Sequence, residues 1–77
     1  GMMVNRFYEA ILEGRYQLPI DMLQGTDDEG APAYLARYAD AHGVLIEVVD
    51  SSHAEAHRRC TADVLEGVRD GRITPTL

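Results

Sequence analysis

The sequence predicts a small α/β domain with the order α-β-α-β-α, a small α+β arrangement being its nearest variant. Three observations carry this. Residues 3–13 show helical apolar spacing, residues 44–49 form an aliphatic run, and residues 52–55 carry a helix-start signal. With 77 residues and one cysteine, Cys60, the chain is expected to form a single domain over residues 2–77 without an internal disulfide. Gly1 ahead of Met2 reads as the remnant of a cleaved tag.

The first helix is expected over residues 3–13. Val4, Phe7, Tyr8, Ile11 and Leu12 fall on one face, and Gly14 follows where a left-handed cap is wanted. Residues 15–20 alternate, with Tyr16, Leu18 and Ile20 on one side, which predicts a short strand limited by Pro19. A short helix from Pro19 to Leu23 is the competing reading. Residues 25–30 are rich in turn formers and read as a loop.

The second helix is expected over residues 32–42. Pro32 suits a first turn, Tyr34, Leu35, Tyr38 and His42 share a face, and Gly43 supplies the stop. Residues 44–49 hold five aliphatics interrupted by Glu47, the pattern of a strand buried on both faces in a parallel sheet. With the preceding helix they predict a βαβ unit.

The third helix begins with Ser52 and Glu55 at capping-box spacing and ends at Gly71. Its expected apolar face is Ala54, His57, Cys60, Thr61, Val64, Leu65 and Val68, with Glu55 and Arg59 forming an i, i+4 pair opposite. Residues 72–77 read as a tail or a final short strand.

Charge narrows the function classes. The chain carries −6, its seven basic residues are all arginine, and nine of its thirteen acids precede residue 51. This balance argues against nucleic acid and anionic membranes as partners. No apolar run is long enough to span a bilayer, and a lone unpaired cysteine points to a reducing cytoplasm. Without lysine there is no phosphate-loop lysine and no Schiff base. Asp27, Asp28 and Glu29 form the densest acidic run, but they lack the spacing of a calcium loop and read as solvated.

His53, His57 and Cys60 are the one constellation with chemical content. They share a stripe about 60° wide on an ideal helix, and their side chains are suitable zinc ligands. The competing reading places His57 and Cys60 in the buried face, where a free cysteine acts as a small hydrophobe. Asp50, Ser51 and Ser52 end the predicted strand, the usual ligand position in an open α/β sheet.

A two-stranded sheet has uncovered edges and is not stable alone. Pairing across a two-fold axis covers them, so a homodimer is expected. Tyr34, Tyr38, Phe7 and Tyr8 are the interface candidates, because tyrosine buries its ring while its hydroxyl stays wet. The resulting expectation is a non-enzymatic protein-interaction or regulatory module acting as a homodimer. The alternative is a small metal- or ligand-binding protein using His53, His57 and Cys60, or the turn from Asp50 to Ser52.

Overall fold

The computed structural model describes residues 9–15, 17–40, 42–43 and 45–73. Three strands are followed by a long helix: β1 (Asp21–Thr26), β2 (Pro32–Ala39), β3 (Leu45–Asp50) and α1 (His53–Arg69). The strands form one antiparallel sheet in the order β1-β2-β3. α1 packs across β2 and β3 on one face of it.

Residues 9–12 are helical, and the backbone turns at Gly14 with φ 77°. The rest of the expected first helix, including Phe7 and Tyr8, lies outside the described residues. Ile11 packs against the core from this segment, as do Leu18 and Ile20 from the irregular stretch that follows.

The expected strand over 15–20 and its competitor, a helix from Pro19 to Leu23, are both corrected. Residues 17–20 have no regular structure, and the strand starts at Asp21. Pro19 has no amide to donate, so the ladder begins just beyond it. Gly25 and Thr26 complete β1, and the loop contracts to a turn around residues 27–30. Asp27 organises that turn: its Oδ1 accepts the Glu29 amide at 2.9 Å and the Ala31 amide at 2.8 Å. Gly30 supplies the positive φ of 80°. The acidic run therefore caps a β-hairpin.

The expected second helix over 32–42 is the largest correction: residues 32–39 are the central strand β2. Both readings use the same tyrosines. The inward set is Tyr34, Ala36 and Tyr38 at period two, and Ala36 is completely buried. Alanine weighs little in a hydrophobic count and favours helices, which hides this alternation. Pro32 sits at the first strand position, where a missing donor is tolerated.

The run at 44–49 is a strand, with observed bounds Leu45–Asp50; Val44 lies outside the described residues. It is not buried on both faces, and its pairing is antiparallel to β2, so the βαβ unit and the parallel sheet are overturned. With β2 in the centre, the sheet has three strands where two were expected. The fold is mixed α+β rather than the stated α-β-α-β-α.

α1 starts as expected. Ser52 Oγ accepts the Glu55 amide at 3.3 Å. The reciprocal half of the capping box is replaced, because the Ser52 amide donates to Asp50 Oδ1 at 2.9 Å. The buried stripe is Ala56, Cys60, Val64, Gly67 and Val68, while Ala54 and His57 are exposed. Glu55 pairs with Arg58 rather than Arg59, and Arg59 turns to Asp50. At the far end the Gly71 amide reaches the Val68 carbonyl and the Arg72 amide reaches that of Gly67, at 3.2 and 2.8 Å. These are the two bonds of a Schellman motif, with Gly71 at φ 78°. The chain then folds Ile73 back onto Gly67, completing a core of Ala36, Tyr38, Val48 and the helix stripe.

Candidate functional site

The sheet has two unlike faces. The inner face, which α1 covers at β2 and β3, carries the cross-strand row Met22–Ala36–Val48, flanked by Tyr34 and Tyr38. The outer face carries the alternate residues. Register aligns Leu23, Leu35 and Val49 as one apolar row across all three strands. Two residues along, Asp21, Arg37 and Glu47 form a second row. On the other side Gly25 stands opposite Ala33, small residues that leave a shallow concavity of about 280 Å³ beside the apolar row.

Leu23 is 43% exposed, Leu45 50% and Val49 63%. Isolated exposed apolar residues are ordinary, but a row in register across a whole sheet is contiguous surface. No described element packs on this face.

The interface candidates divide. Tyr38 is buried in the core. Tyr34 is half-buried on the inner face, its ring meeting that of His53 edge-on with centroids 5.5 Å apart. Phe7 and Tyr8 fall outside the described residues. The outer row was not anticipated. Its signal was the alternation of Leu23, Leu35 and Val49 against the inward residues, which emerges only once 32–39 is read as strand.

The three proposed metal ligands are not brought together. His53 and His57 are exposed, whereas Cys60 points into the core and is fully buried. Burial pushes the Cys60 thiol up, and the Asp63 carboxylate adds to the shift, so the thiolate needed for ligation or attack is disfavoured. Among the described residues no group of three or more His, Cys, Asp or Glu side chains is placed to hold a metal ion.

The turn from Asp50 to Ser52 is internally bonded. Asp50 Oδ1 accepts the Ser52 amide, and its Oδ2 takes Arg59 Nη1 at 3.1 Å. These partners, the Ser52 amide first, hold the Asp50 carboxyl below its ordinary range. Ser52 Oγ is engaged at the helix start, so the groups that would meet a ligand already have structural partners. A cleft of about 260 Å³ beside the helix is lined by Ile11, Leu18, Gln17 and Thr61, with His57 as its one imidazole. The Thr61 hydroxyl in this lining donates to the His57 carbonyl at 2.8 Å.

No helix among the described residues is long and apolar enough to cross a membrane. Comparison with protein-family models, curated proteins and solved structures finds no match, so functional inference rests on the chemistry and geometry of this chain.

Proposed function

We propose that this chain is a non-enzymatic protein-interaction or regulatory module whose contact surface is the outer face of its sheet. The observation that supports this is the in-register row Leu23–Leu35–Val49, uncovered by any described element. A sheet bearing apolar residues on both faces gains by covering both, and α1 covers one.

The homodimer expected from the sequence answered a shortage of strands. The feature that calls for cover is the outer face, and a second copy of the chain is one occupant of it. Replacing Leu23 and Val49 by serine tests the reading. The double variant should keep its fold and lose about 1 kcal/mol or less, because outward side chains contribute little to the core. It should also lose most of the fluorescence of a hydrophobic dye bound to the parent. Unchanged dye binding would sink the proposal, and so would loss of the folded state, which would make these residues core.

A further inference from the structure

We infer that the free edge of β3 pairs with β3 of a second copy of this chain, in the register that sets Glu47 opposite itself. The contact is the backbone edge of the sheet, not its outer face, so it goes beyond the surface proposed above.

The hairpin fixes which backbone groups of β3 point away from the sheet. The Asp27 amide donates to the Ala31 carbonyl at 2.9 Å, so these residues form a hydrogen-bonded pair. Bonded and non-bonded pairs alternate along an antiparallel ladder, which makes Gly25–Ala33, Leu23–Leu35 and Asp21–Arg37 bonded pairs too. Ala33, Leu35 and Arg37 therefore turn their backbone groups to β1, and Tyr34, Ala36 and Tyr38 turn theirs to Asp50, Val48 and Ile46 of β3. Leu45, Glu47 and Val49 are left with amides and carbonyls directed away from β2, where no described strand lies. Arg59 agrees with this direction, since its Nη1 reaches the Val49 carbonyl at 3.5 Å.

A row of outward amides and carbonyls asks for another strand. Three features single out a second copy. The first is self-complementarity. An antiparallel pairing about a two-fold axis through Glu47 sets Leu45 against Val49 of the second copy and Ile46 against its Val48, apolar on apolar on both faces. The Leu45–Val49 and Glu47–Glu47 pairs each exchange two backbone bonds, and the Val49 carbonyl leaves Arg59 to do so. The second is spacing. α1 lies over β2 and β3, so with strands about 4.8 Å apart the two copies of α1 stand about 10 Å apart on one face, at helix-packing distance. The third is charge. Arg59 stands at the Asp50 end of β3, bonded to that carboxylate at 3.1 Å, while Asp63 and Glu66 stand beside Ile46 toward the other end. The two-fold reverses direction and brings each Arg59 toward the acids of the other copy. The opposing contribution is Glu47, which meets its own copy directly across the axis. The β1 edge is the poorer template, because it carries Gly25 and Pro19 stands just ahead of it.

The test is the association state of the whole chain by analytical ultracentrifugation, from micromolar to hundred-micromolar concentration, where a dimer should populate. Glu47→Gln should tighten the dimer about two- to five-fold, the gain from removing a like-charge pair directly opposite. Glu47→Pro removes an edge amide and leaves the ladder to β2 intact, so this chain should stay folded and become monomeric. Leu23→Ser, on the outer face, should leave the dimer unchanged. If Glu47→Pro does not fold, residue-resolved amide exchange on the parent gives the readout. The Leu45, Glu47 and Val49 amides should exchange fast in dilute solution and slowly when concentrated, while those of Ile46, Val48 and Asp50 stay protected throughout. A monomer at every concentration, a folded Glu47→Pro chain that still dimerises, a Glu47→Gln dimer no tighter than the parent's, or edge amides whose exchange ignores concentration overturns the inference. So does a dimer that Leu23→Ser dissociates, which would assign association to the outer face instead.

Discussion

Replacing Gly67 by alanine should destabilise the protein, although the same change in an open helix stabilises. Alanine is favoured over glycine by about 0.8–1.0 kcal/mol in a helix interior. At Gly67 the new Cβ would lie 2.5 Å from Ile73 Cδ1 and 2.8 Å from its Cγ1. Carbon atoms prefer roughly 3.5–4.0 Å, so Ile73 must retreat by about 1 Å. It has little room to do so: its amide donates to the Gly67 carbonyl at 3.1 Å and its side chain is 3% exposed. Overpacking of this kind costs about 1–3 kcal/mol, and expelling the side chain instead forfeits about 1.5–3 kcal/mol of burial. Setting either against the propensity gain leaves a net loss of up to about 2 kcal/mol.

A urea-denaturation cycle isolates the cause. In an Ile73→Ala background the nearest remaining atom is the Cβ at 3.5 Å, an ordinary contact. There Gly67→Ala should become neutral or stabilising by up to about 1 kcal/mol, a coupling within the range of directly touching residues. If the Ile73→Ala chain is too unstable to measure, Ile73→Val removes the closest atom at a cost of about 0.5–1.5 kcal/mol and should recover part of the effect. A Gly67→Ala chain with a higher urea midpoint, or a cycle without coupling, would refute the close approach.

Two further predictions follow from the buried thiol and from the Asp50 carboxylate. Cys60 should react with a thiol reagent only as fast as the chain opens, accelerating sharply in denaturant, and micromolar zinc should not change that rate; labelling of the native chain at the speed of a free peptide thiol would refute its burial. Asp50 has a lowered folded-state pKa, so its contribution is fully present above its unfolded value near pH 4 and disappears as pH falls through the lower folded value. Relief of the −6 self-repulsion acts in the opposite sense, so the quantity to measure is the stability difference between the parent and Asp50→Asn. That difference should shrink between pH 5 and pH 2; a constant or widening gap contradicts the assigned partners.

The start and stop of α1 were written locally in the sequence. Ser52 and Glu55 are three residues apart in the chain and meet through a backbone amide, and Gly71 supplies a left-handed cap wherever the helix packs. The aliphatic run ending at Val49 was equally plain as a strand. Its burial was not, because a run apolar on both sides has the same composition whether one face or both are covered.

Residues 32–39 show what local reading lacks. Pro32, Tyr34, Leu35 and Tyr38 suit a helix by spacing and a strand by side-chain type. Pairing with β1 and β3 decides for the strand, since it satisfies the backbone groups of β2 on both edges while burying Ala36 and Tyr38. The stripe of His53, His57 and Cys60 was correct as angles on a helix, but the rotation of α1 on the sheet turns Cys60 inward and leaves the histidines outside. Leu23, Leu35 and Val49 are scattered along the chain and become one row only through strand register. The sequence by itself determined the caps, the net charge and the presence of amphipathic elements, all short-range or additive properties. Only the tertiary structure decided which face each element buries, because that depends on partners distant in the chain.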